Sequence, residues 1–422
     1  MSENREAGVD GVPGGDFFDK YGLAFVMVAS YFGSGSVFIA SSAGVQYGYA
    51  LLWAVVGAVV LGFIAQYISA RLGIFGKPLM TFIHERVGTP VATALALVLS
   101  VGCIAWGLAL TAAVGEGVSV LLGGAIQWQP IAVACGVLAI VVGILGYDAV
   151  EKVMITMMFG LLIAYVVVAV GSGPSIGGVA GGFVPGIPDI GALTLVASIL
   201  GTTALWPNFF LESILVREKG WTDEFAIPTM RLDLGVGYAI GGVVTMAIVI
   251  ATAAVLRPAG ITEIATFITP GRALADVLGD WALVLFLVGA IVAAFNSIVP
   301  IMWTPAYIIP QATGRDVDSD DRLFRIVYII GIGVSALSPL VAAFFGLSVV
   351  DMIVLFPALN GVIGLPITAV CLVWAANSTG LLGEHTNGPA LNAVGAVLVV
   401  LSVVLGVSSA QSVIGAITGG GL

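Results

Sequence analysis

Tyr31 to Gly48 reads Y-F-G-S-G-S-V-F-I-A-S-S-A-G-V-Q-Y-G and interrupts an apolar run of membrane-spanning length. Gly33-Ser34-Gly35-Ser36 alternates residues of low helix propensity with hydroxyls that bond freed backbone. Lipid offers no partner to a loose N–H or C=O. A helix broken at this depth therefore persists only where protein buries it or where it lines a cavity. In transporters that cavity is the substrate site, so the stretch predicts a membrane transporter.

Composition agrees. The chain is 59% hydrophobic and 9% charged, with a mean hydropathy of +1.13, whereas a soluble domain carries about 25% charged residues. A polytopic, all-helical membrane protein is the class these values imply. Residues 1–20 are polar, Gly-rich and acidic and lack the pattern of a cleaved signal peptide, so a disordered cytoplasmic tail is expected there. Cys103, Cys135 and Cys371 lie inside apolar runs and read as small hydrophobes rather than disulfide or metal residues.

Eleven spans of about twenty residues are expected near 21–45, 49–72, 93–122, 128–147, 151–171, 191–216, 231–256, 280–310, 323–345, 350–376 and 389–410. Alternation is absent, which excludes a β-barrel. Of the fourteen basic residues, only Arg257 and Arg272 fall on one side of this arrangement, and the other twelve fall on the side of the N-terminus. The positive-inside rule then puts the N-terminus in the cytoplasm and the C-terminus outside the cell.

A second interruption lies five spans after the first. Gly201 to Ser213 reads G-T-T-A-L-W-P-N-F-F-L-E-S, where Pro207 removes a backbone donor. Alone it could be a simple kink. Paired with the first break, it marks two consecutive five-helix blocks, 21–171 and 191–376, as inverted repeats, with 389–410 an additional helix and the transport site where the breaks meet. Thr202 and Thr203 precede this break and Asn208 follows it. Glu212 is one turn beyond Asn208, on the same face, and is read either as a coupling or gating carboxylate or as a partner of Arg217 or Lys219. Glu116 in span 3 is a second coupling or gating candidate. Asn296-Ser297 in span 8 is read either as facing the first break, where sodium could be held, or as an interhelical hydrogen bond.

Tyr31 to Trp53, Ile68 to Ile74 (I-S-A-R-L-G-I), Glu151-Lys152-Val153, Gly201 to Ser213, and Asn360-Gly361 with Pro366 together resemble the Nramp divalent-metal transporters over nearly the whole chain. The resemblance implies a leucine-transporter-like fold, broken helices 1 and 6, and import of manganese, iron and related ions, usually with protons. Its ligand residues are replaced. The family's D-P-G-N falls on Gly33-Ser34-Gly35-Ser36, its M-P-H on Trp206-Pro207-Asn208 or, ungapped, on Leu205-Trp206-Pro207, and its acidic pair of span 3 on Gly107 and Leu110.

The expected substrate-binding set is thus Gly33, Ser34, Ser36, Thr203, Trp206 and Asn208, with Ser36, Asn208 and Glu212 as candidate metal contacts. Oxygen donors without a methionine sulfur suit a hard ion such as Mg2+ better than Mn2+ or Fe2+. The alternative is an ion-coupled transporter of a small organic or anionic solute, since a site without a carboxylate faces positive half-helix ends. No G-x-x-x-x-G-K-[ST] motif occurs. The expected protein is a secondary transporter in the plasma membrane, not an enzyme. Its expected partners are the cargo, a coupling H+ or Na+ and the bilayer, with no cofactor and no nucleic acid.

Overall fold

The computed structural model describes residues 21–264, 266 and 268–417; the expected N-terminal tail lies outside the described residues. The helices are α1 (Leu23–Tyr31), α2 (Ser34–Tyr47), α3 (Leu52–Phe75), α4 (Leu79–Val87), α5 (Thr89–Leu121), α6 (Trp128–Gly143), α7 (Tyr147–Gly171) and α8 (Ile176–Gly181). There follow α9 (Ile190–Thr203), α10 (Trp206–Glu218), α11 (Ala226–Val255), α12 (Thr269–Leu278), α13 (Asp280–Ala312), α14 (Arg322–Ser335) and α15 (Ser338–Phe345). The described chain ends with α16 (Val349–Ala376), α17 (Thr379–Leu382) and α18 (Pro389–Ile417).

Eight of the described segments are long and apolar enough to cross a membrane, one of them being Gly191–Glu218, which holds α9 and α10. Two further spans are bent pairs, α1 with α2 at 64° and α14 with α15 at 42°, and α6 is a shorter apolar helix. With α6 they fall where the eleven spans are expected, ten of them being long and apolar enough to cross. The bend in span 9 has no forewarning in the sequence beyond Pro339 in the first turn of α15.

Two five-span blocks repeat one local design. Span 1 is broken between α1 and α2, and span 6 between α9 and α10. The short helices α4 and α12 each end at a glycine that opens a 33-residue helix. Gly88 has φ 80°, ψ 164° and Gly279 has φ 99°, ψ 168°. Only glycine adopts that region without steric cost, so the same sharp turn recurs in corresponding places. The two long helices it starts, α5 and α13, form the most extensive helix pair in the bundle.

Most spans have no polar face. Val101 and Val170 are about as apolar as the core but 67% and 71% exposed, as expected where the outside solvent is lipid. Small residues bring helices close. A Cβ on Gly44 of α2 would lie 2.4 Å from the Val249 carbonyl of α11, and one on Gly73 of α3 would lie 2.3 Å from the Ser213 carbonyl of α10.

Candidate functional site

The first break consists of Phe32 and Gly33. Phe32 still donates its N–H to the Val28 carbonyl at 2.9 Å, and Gly33 is extended (φ −107°, ψ −169°), so α2 starts afresh at Ser34. The Ser36 hydroxyl reaches back to the Tyr31 carbonyl at 2.7 Å and satisfies an acceptor that the break would leave open. Gly33 is crowded: a Cβ there would lie 3.0 Å from Ser297 Oγ and 3.1 Å from Leu110 Cδ2, so both side chains would have to give way.

The second break is Ala204-Leu205. Pro207 falls in the first turn of α10, where its missing N–H costs nothing, so it starts a helix rather than kinking one. Thr202 and Thr203 both bond back to the Ile199 carbonyl, at 3.1 and 2.9 Å. Neither α2 nor α10 has a side-chain cap at its N-terminus.

Between the breaks lies a cavity of about 300 Å3. Gly33 and Ser36 of the first break, Thr202 and Trp206 of the second, Ser297 of α13 and Asn360 of α16 all border it. Among the described residues, the lining has no charged side chain and no sulfur. Three of its hydroxyls have committed their protons to backbone carbonyls: Ser36 to Tyr31, Thr202 to Ile199, and Ser297 to Ala29 at 2.7 Å. What remains on those oxygens is lone pairs. Trp206 differs, since its buried indole N–H has no partner.

The structure does not gather all the expected residues. Ser34 is buried away from the lining, and Thr203 turns toward α3, its methyl lying near Gly62. Asn208 sits below the cavity, donating to the Met27 carbonyl at 2.9 Å. Glu212 is deeper still, fully buried, and neither of its oxygens has a hydrogen-bond partner. The expected metal contacts therefore reduce to Ser36, because Asn208 does not border the cavity and Glu212 lies a further turn of α10 beyond it. Glu212 is not paired with Arg217 or Lys219. Lys219 binds Glu151 at 2.7 Å, and Arg217 reaches the Gly76 carbonyl.

Of Asn296-Ser297, only Ser297 faces the first break. Asn296 turns to Met158 Sδ of α7 at 3.1 Å, because neighbouring helical residues point about 100° apart. Glu116 is half-buried far along α5, with Arg272 of α12 as its charged neighbour. Among the described residues no three His, Cys, Asp or Glu side chains gather around one point.

Sequence reasoning missed Asn360 as a site residue, although it stood in a quoted motif; its amide donates to the Gly102 carbonyl at 2.7 Å and so closes the cavity against α5. Ser198, Ser408 and Ser409 also border the cavity, and nothing local distinguishes them from other serines of apolar helices.

The fold has counterparts among known proteins. The chain is 27% identical over 392 residues to the divalent metal cation transporter MntH of Aeromonas hydrophila, covering 90% of this chain and 92% of that one. It is likewise 27% identical over 406 residues to the MntH of Mycobacterium tuberculosis, covering 92% and 90%. Its structure is similar to that of the Eremococcus coleocola manganese transporter, with a TM-score of 0.79, 19% identity, and coverage of 97% and 90%. A more distant likeness is to MHP1, a nucleobase-cation-symport-1 family transporter, with a TM-score of 0.55, 15% identity, and coverage of 93% and 92%. Because the profile of the natural resistance-associated macrophage protein-like family matches residues 24–411, this multi-pass membrane protein belongs to the Nramp family.

Proposed function

We propose that the protein is a secondary transporter that moves a divalent metal cation across the plasma membrane by alternating access, through the cavity between its two broken helices. The two blocks 21–171 and 191–376 are its moving repeats, 389–410 is an additional helix, and the N-terminus is cytoplasmic. The observation that carries this reading is the commitment of the Ser36, Thr202 and Ser297 protons to backbone. Those three oxygens border the cavity with lone pairs rather than protons to offer, and that is a surface for a cation.

With no carboxylate at hand, stripping a dication completely would cost many kcal/mol, so the ion keeps part of its water. Oxygen donors alone argue for Mg2+ ahead of Mn2+ and Fe2+, whereas the relatives are named for manganese and divalent metals. Uptake of all three ions into proteoliposomes, alone and in competition, tests the order. Ser297→Ala should lower apparent affinity about fivefold or more for a true cation contact.

A second reading is favoured by Trp206. Its free indole N–H and the uncapped starts of α2 and α10 suit the carboxylate of a small organic solute. If no dication enters or competes while an amino or organic acid accumulates, the metal reading fails and this one takes its place.

A further inference from the structure

Below the cavity, a file of buried polar atoms without hydrogen-bond partners runs toward the start of α1. It begins at the Tyr31 hydroxyl, on a residue that borders the cavity. Tyr31 stacks on Tyr238 of α11, with ring centroids 5.4 Å apart. The Tyr238 hydroxyl lies beside Gln66 of α3 and Glu212 of α10 without a formed hydrogen bond, and both ends of the Gln66 amide are also unpartnered. Glu212 follows, with both carboxylate oxygens unpartnered, and Asp233 of α11 is its acidic neighbour. Asp233 leaves Oδ1 free while Oδ2 accepts the Ala24 N–H, in the first turn of α1, at 2.8 Å.

The charges around this file do not balance. Tyr147 and Glu151 of α7 also face it, and Lys219 is its one ammonium among the described residues. Lys219 spends its hydrogen bonds on both oxygens of Glu151, at 2.8 and 2.7 Å. Arg71 of α3 points away, to Asn387 and His385. A bare carboxylate at 0% exposure with no hydrogen bond formed to either oxygen and no cation paired with it is among the costliest groups a membrane protein can hold. Neutralising it takes a proton.

We propose that Glu212 is the proton-carrying residue of this transporter, loaded through Tyr31, Tyr238 and Gln66 and discharged beside Asp233 when α1 moves. This rests on the transport reading above. In the loaded state the Glu212 carboxyl holds the proton. As α1 withdraws, Ala24 releases Asp233, water enters, the Glu212 O–H bond breaks and the proton leaves on water, so the carboxylate remains behind. Gly107 and Leu110 carry no proton, so the route runs instead through α10 and α11, next to the half-helix that must move.

The test uses the full-length protein with Mn2+ as the probe ion, in vesicles holding a pH-sensitive dye, and infrared difference spectra of the same preparation. A coupled proton lets an inward gradient of one pH unit raise Mn2+ accumulation about tenfold. The ratio of gradient-driven to gradient-free uptake should fall from about ten to one in Glu212→Gln, with the dye response lost. Tyr238→Phe should lower the same ratio. The spectra should show a protonated carboxyl band that Glu212→Gln removes and Asp233→Asn shifts; Asp233→Asn also serves should the first variant fail to fold. A carboxyl band unchanged in Glu212→Gln overturns the proposal, as does accumulation driven by sodium and indifferent to protons. If neither Mn2+ nor Mg2+ crosses at all the transport reading fails, and the infrared band still decides whether Glu212 carries a proton.

Discussion

Asn208, in the first turn of α10, donates its amide N–H to the carbonyl of Met27 in α1 at 2.9 Å. The bond ties together the two half-helices that lie below the cavity. Both are sealed: every residue of α1 is buried, and α10 is buried from Trp206 to Val216. Asn208 does not line the cavity, and on the proposed transport reading it is a latch between α1 and α10.

Removing the latch should loosen α1 without unfolding the bundle. A hydrogen bond of this kind contributes about 1 kcal/mol net, so Asn208→Ala should speed hydrogen exchange of the α1 amides about fivefold. Exchange in α5 and α13 should not change. Equal acceleration everywhere would mean that the bond merely supports the fold.

Gly33 tests why the family's carboxylate is missing. Its backbone is extended and admits any residue, so the crowding by Ser297 and Leu110 is what opposes a side chain. Gly33→Asp should cost about 1–3 kcal/mol by overpacking against Ser297 and Leu110. Ser297→Gly in the same chain should recover much of that loss, whereas Gly35→Ala, with nothing within 4 Å of the added carbon, should be sterically neutral. Thermal unfolding in detergent measures all three, and a Gly33→Asp protein as stable as the parent would refute the steric argument.

The Lys219–Glu151 pair is buried, at 7% and 4% side-chain exposure, and the Tyr147 hydroxyl donates to Glu151 at 2.9 Å. Lys219→Met should destabilise by about 3 kcal/mol or more, because it strands a carboxylate. Lys219→Met with Glu151→Gln should be milder than Lys219→Met alone. A double variant worse than either single one would show that the two residues act separately.

Asp189 offers a pH signature outside the spans. The Ala192 N–H at 2.9 Å, the first cause, and the Tyr47 hydroxyl at 2.8 Å hold its carboxyl below the usual range. A depressed value means that the stabilisation is complete above the unfolded value of about 4 and fades as pH falls through the folded one. The melting temperature should drop below about pH 4, and less so in Asp189→Asn. Equal acid sensitivity in both proteins would assign the drop to other carboxylates.

The sequence by itself determined the class, the eleven spans and the two breaks, because hydropathy and backbone chemistry are local. Twenty apolar residues span a bilayer wherever they stand, and the weak helix formers Gly33-Ser34-Gly35-Ser36 mark where the helix breaks, although the break itself is Phe32-Gly33 and Ser34, Gly35 and Ser36 already belong to α2. It also led to Ser36, Trp206 and Ser297, which border the cavity. Only the tertiary structure decided that Thr202 rather than Thr203 faces the cavity, that Asn208 and Glu212 lie beneath it, and that Asn360 completes it. A helix buried on one side and bathed in lipid on the other is apolar all round, so its sequence carries no stripe to show which way it is turned. One residue rotates a side chain about 100°, and the packing of α2 on α11 and of α10 on α3 sets that rotation.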